Sequence, residues 1–100
     1  MNITLSKYLD VSTKYVTEND GRLMLTDAPY RIGEIHRGAG VLFYLPPSDC
    51  LNDDNLIREF SIFGFSPAFC NIFLLARSKG ARLINFDADG ADHDLPTFEW

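Results

Sequence analysis

Four aspartates fall within eight residues near the end of the chain: Asp87, Asp89, Asp92 and Asp94, with His93 between the last two. Several carboxylates on one flexible loop suit a hard divalent cation. The calcium loop of the EF-hand wants acidic ligands at its first, third and fifth positions, Gly at the sixth and Glu at the twelfth. Counted from Asp87, the fifth position is Ala91 and Gly90 falls at the fourth. Counted from Asp89, the fourth is Asp92 and the sixth is Asp94. No register satisfies the pattern, so no metal ligand is assigned. The plainer reading is a tight turn on an acidic surface, because Asp and Gly both favour turns.

Other reactive side chains are sparse. His36 and His93 are the only histidines. His93 has Asp92 and Asp94 beside it, but neighbours on an extended chain point apart, so adjacency is not an acid–base pair. Both histidines are read as solvated. No G-x-S-x-G, P-loop or nucleophilic-cysteine signature is present. Gly33, Gly38 and Gly40 do not form a dinucleotide fingerprint, and His36-Arg37 beside Gly38 fits a hairpin tip as well as an anion site. The reading is therefore non-catalytic, with no cofactor. Its alternative is a small ligand- or divalent-cation-binding domain, or an enzyme, using the Asp87–Asp94 cluster.

Charge is distributed unevenly. Met1 to Arg82 holds nine basic and nine acidic residues, which cancel, so the net −5 comes from Asp87, Asp89, Asp92, Asp94 and Glu99. Generic binding to nucleic-acid backbones or anionic membranes needs a basic face and is not expected. The same stretch ends in Leu95-Pro96-Thr97-Phe98-Glu99-Trp100, which carries the only Trp. Chain ends are usually frayed and polar, so Phe98 and Trp100 suggest a docked closing segment. If exposed, they form an aromatic patch ringed by carboxylates, suited to an Arg- or Lys-bearing partner. Asp87, Asp89, Asp92, Asp94, Phe98, Glu99 and Trp100 are the candidate partner-binding residues. A homodimer burying Phe43, Tyr44 and Trp100 is a further reading.

These residues need a frame. The length is that of one domain, and 46% hydrophobic content with 23% charged residues is globular. A strand is expected over Tyr8–Ser12. Thr17 is expected to cap a short helix over Glu18–Leu25, with an acidic residue three positions on. Tyr30–Arg37 and Val41–Leu45 read as a hairpin with a bulge at Gly33. The uniformly apolar second arm predicts a central strand covered on both faces. Leu56, Ile57, Phe60 and Phe63 give one stripe of a helix over Asp53–Phe63, ended by Gly64. Ser66 and Pro67 open a second helix, with Phe69, Ile72, Phe73 and Ala76 inward, Arg77 and Lys79 near its C-terminus and Gly80 after it. Arg82–Asp87 closes as a strand, from whose end the final residues run back along a sheet edge. The fold class is α+β: a single two-layer domain over 1–100, with a mainly antiparallel sheet, two helices on one face and a short N-terminal helix. Cys50 and Cys70 are too far apart for a CxxC site. Without a secretory signal they read as reduced thiols in the cytoplasm, Cys70 in the core. No apolar run approaches the roughly 20 residues that span a bilayer.

Phe86-Asp87-Ala88-Asp89-Gly90 followed by Leu95-Pro96-Thr97-Phe98-Glu99-Trp100 resembles the ending of an uncharacterised family of small bacterial proteins. Asp10-Val11-Ser12-Thr13, the segment from Pro29-Tyr30 to Leu45-Pro46, and Ala76–Gly80 resemble its early strand, its aromatic hairpin and the end of its last helix. The chain departs from the family at Gly38-Ala39-Gly40-Val41, where a Gly-aromatic pair is favoured, and at Ala81, where Cys is common. No aromatic hairpin site or catalytic residue is therefore carried over. The resemblance implies a genetic context of plasmids, prophages and islands, near anti-restriction and toxin–antitoxin genes. The expected function is a protein-interaction accessory module of a bacterial mobile element or prophage. One version is a counter-defence inhibitor whose carboxylates imitate phosphates.

Overall fold

A computed structural model describes residues 8–35, 40–88, 90, 92, 93 and 95–98. Its element order is β1 (Tyr8–Ser12), a 3₁₀ turn (Thr13–Tyr15), α1 (Glu18–Leu23), β2 (Arg31–Ile35), β3 (Gly40–Tyr44), α2 (Asp53–Phe63), α3 (Pro67–Ser78) and β4 (Leu83–Asp87). The strands form one sheet in the order β1-β4-β3-β2. β4 pairs antiparallel with β3 and parallel with β1, and β3 pairs antiparallel with β2. This is an α+β two-layer arrangement, and two of its three strand pairings are antiparallel.

Local chemistry sets the helix starts. Thr17 accepts from the Asp20 amide while the Asp20 carboxylate accepts from the Thr17 amide, a complete capping box. Asn52 caps α2, and Ser66 caps α3 with Pro67 in its first turn. α1 stops at Leu23, and Leu25 lies exposed in the following turn. The β2 register shift falls between Arg31 and Gly33, where the bulge is expected. Tyr30 is a left-handed turn residue (φ 65°) rather than part of β2. Its hydroxyl donates to Glu59, and burial, then that bond, push the phenol up to about 12.

The helices cover one face of the sheet. Alternation sends Val11, Val41, Phe43, Ile84 and Phe86 toward them, and all five are buried. Phe43 lies edge-on to Phe65, Phe69, Phe73 and Phe86 at 5.6–6.5 Å between ring centroids. Such edge contacts suit the ring quadrupoles. Phe43 is thus a core residue and is not available to a dimer face. β3 is central in position but is not covered on both sides: Leu42 is half-buried and Tyr44 exposed. Among the described residues, helices pack on one side of it alone. Cys70 is buried, and burial pushes its thiol up. No helix among the described residues is long and apolar enough to cross a membrane.

Two polar ties brace the layers. Arg77 does more than complement its helix terminus: it reaches Asp53 and the carbonyls of Pro46 and Leu51 and pins the loop before α2. Asp20, fully buried, also accepts from the Ser66 amide at 2.8 Å and the Ser66 hydroxyl at 2.5 Å. One carboxylate therefore joins the starts of α1 and α3. Asp20→Ala leaves these donors buried without a partner, so it is expected to destabilise the fold by about 3 kcal/mol. Thermal melting is expected to fall by roughly 15 °C, and Asp20→Asn, which keeps one acceptor oxygen, is expected to lose less.

Candidate partner-binding surface

The closing segment is positioned by the end of β1. Ser12 caps the 3₁₀ turn by accepting from the Lys14 amide, which turns Tyr15 into the core and leaves Lys14 outside. A buried tyrosine needs a partner for its hydroxyl, and the tail supplies two. Tyr15 Oη donates to the His93 carbonyl at 2.8 Å and accepts from the His93 amide at 2.5 Å. His93 Nε2 lies 2.8 Å from the Asp10 carbonyl. A carbonyl only accepts, so Nε2 carries the proton. The two rings meet edge-on at 5.9 Å.

Further contacts extend this clasp. The Phe98 amide donates to the Lys14 carbonyl at 2.8 Å, and Leu95 packs against the core. Gly90 lies so close to the backbone of Val11 and Ser12 that a Cβ would overlap it. Lys14 Nζ meets Asp92 at 2.5 Å on the exposed side. That hydrogen bond, reinforced by Coulomb attraction, holds the Asp92 carboxyl below its ordinary value and the Lys14 ammonium above its own.

The candidate residues divide accordingly. Asp87 is half-buried at the end of β4 and is not free. Asp92 is exposed and paired, and Phe98 is half-buried beside Tyr15, Leu95 and Pro96 in a cleft against α3. Asp89, Asp94, Glu99 and Trp100 lie outside the described residues, as do His36, Arg37 and Gly38. His93 corrects the sequence reading: it is half-buried and hydrogen-bonded, not solvated. Sequence reasoning also missed Tyr15 and Lys14 as the receptors of the tail. The available signal was a tyrosine at the end of a strand, which does not identify a partner 78 residues away. Among the described residues no three His, Cys, Asp or Glu side chains are placed to hold a metal ion.

Comparison with known families settles the relationship. Residues 8–100 match the family of unknown function DUF5983, C-terminal domain. The chain belongs to this family. The family is uncharacterised, and membership carries no activity with it. No curated protein and no solved structure matches this DUF5983 chain.

Two measurements test the clasp. Tyr15→Phe removes the hydroxyl from both His93 bonds and is expected to cost about 1–2 kcal/mol locally. Amide exchange at His93 and Phe98 should then speed up by about an order of magnitude, with the Phe43 amide unchanged. An Asp92 carboxyl titration followed by NMR should fall below the usual aspartate range. The Lys14–Asp92 contribution is present above that range and is lost as pH falls through the lowered value. At the alkaline end it is lost as pH rises through the raised Lys14 value. Lys14→Ala should return Asp92 to ordinary behaviour.

Proposed function

We propose that the chain is a non-catalytic protein-interaction module whose contact surface is the acidic, aromatic closing segment. The observation that carries this reading is the Tyr15–His93 clasp, together with the Phe98–Lys14 bond. It fixes the described part of the segment to β1 and the 3₁₀ turn. A surface ordered in advance loses less entropy on binding. The segment also holds all of the excess negative charge, which steers association with a basic partner, while affinity falls to apolar contact at the half-buried Phe98. The non-catalytic reading draws support from His93, whose Nε2 is engaged by a backbone carbonyl.

In its finer form the module is an accessory protein of a bacterial mobile element or prophage. A counter-defence role is one version, supported by the closing motif and the acidic stretch. Five carboxylates make at most a short phosphate imitation, so a protein surface is the better target. The cation alternative gains no specific observation: Asp92 turns to Lys14, and Asp87 ends β4.

The test is cross-linked capture from the bacterial host with the wild-type chain and with the Asp87, Asp89, Asp92 and Asp94 to Asn variant. A protein recovered by the former and at least about tenfold depleted with the latter is expected, because several steering charges are lost together. Equal recovery would remove the tail as the contact surface.

A further inference from the structure

The closing segment does not lie flush on α3. Between them is a cleft of about 160 Å³, with Tyr15, Ala68, Asn71, Ile72, Leu95 and Phe98 in its wall. Tyr15 comes from the 3₁₀ turn and Ala68, Asn71 and Ile72 from α3, while Leu95 and Phe98 belong to the segment itself. Tyr15 and Ile72 are buried, and Ala68, Leu95 and Phe98 are half-buried. The Tyr15 hydroxyl is taken up by His93, so the ring is what Tyr15 adds to the wall. Apart from the exposed Asn71, the side chains named are apolar or aromatic.

Size selects a single side chain. A cavity of roughly 150 Å³ lined by leucine, isoleucine and phenylalanine takes up one benzene ring. This cleft has nearly that volume, and Ile72, Leu95 and Phe98 are in its wall. It is far too narrow for a helix, which is about 10 Å across with its side chains. An aromatic occupant also gains from ring contacts with Tyr15 and Phe98, beyond the area it buries.

Charge selects what flanks that side chain. Leu95 and Phe98 lie in a stretch, 83–100, that holds five carboxylates and no Lys or Arg. Asp94 precedes Leu95 in the sequence and Glu99 follows Phe98. Across the cleft, α3 has no charged residue before Arg77. Lys14, next to Tyr15, is already paired with Asp92. A second copy of the chain would bring the same carboxylates and be repelled. Lysine or arginine on either side of the anchor complements this surface.

We propose that the cleft is the anchor pocket of the contact surface and receives one phenylalanine ring of a partner protein, flanked by basic residues. The proposal rests on the interaction-module reading and names the partner's chemistry at that same segment.

The test titrates the full chain with a synthetic peptide in which one phenylalanine is flanked on both sides by lysines. Matched peptides have alanine in place of the phenylalanine, or glutamates in place of the lysines. Expected are NMR amide shifts at Ala68, Asn71, Ile72 and Leu95. The alanine peptide should bind at least about tenfold more weakly, as loss of a buried ring requires. The glutamate peptide should also bind more weakly, with the difference narrowing as salt rises. Ala68→Leu fills part of the cleft from α3 and should weaken the phenylalanine peptide at least about tenfold. Asn71→Leu replaces it as the filling variant if Ala68→Leu lowers the melting temperature. The proposal is overturned if the phenylalanine peptide leaves these amides unshifted, or if either matched peptide binds as well. It is also overturned if a stably folded filling variant binds unchanged. Binding seen only after Trp100→Ala would make the chain's own last residue the occupant and overturn it too. Host-partner capture lost with the Asp-to-Asn substitutions but intact in the filling variant would keep the module and remove this anchor. Loss in neither would remove both.

Discussion

Phe43 decides which side of the sheet is inside. Its ring receives the edges or faces of Phe65, Phe69, Phe73 and Phe86, contributed by α3, the turn before it and β4. Phe60 adds contacts from α2 to Phe65, Phe69 and Phe73. Aromatic side chains carry large apolar areas, so drawing these rings onto one face concentrates the driving force of folding there. The opposite face is left with the alternate residues of the same strands. Its mixed character, tyrosines and leucines around a polar centre, follows from a one-sided core.

The remainder of the chain is tied to that core by polar contacts between residues distant in sequence. Asp20 links the cap of α1 to the cap of α3, so the short helix does not depend on its own six residues. Isolated helices of that length are not stable in water. Arg77 performs a comparable task for the loop before α2, and Tyr15 for the closing segment. Each tie satisfies backbone groups that would otherwise be stranded. The clasp is the one on which the proposed contact surface rests.

How much of this was legible depended on the range of the interactions. The caps at Thr17 and Ser66, the stripes of α2 and α3, and the bulge at Gly33 are local, and residue type with spacing revealed them. The parallel pairing of β1 with β4 joins residues about 75 positions apart, and nothing in either strand encodes its neighbour. The reading of β3 failed for a related reason. Five consecutive apolar residues signal a central strand, but periodicity cannot say whether a second layer exists to cover Leu42 and Tyr44. His93 was misread because its environment comes from Asp10 and Tyr15, not from Asp92 and Asp94 beside it. The docking of Phe98 was legible from the oddity of an aromatic chain end, though its receptor was not.

The sheet edges narrow the ways in which such a domain can bind. An open edge strand invites addition of another strand. Along β1, the Asp10 carbonyl is taken by His93, and Gly90 lies against Val11 and Ser12. Along β2, the register shift between Arg31 and Gly33 bends the strand, which disrupts a regular ladder. Both edges are therefore poor templates for an added strand.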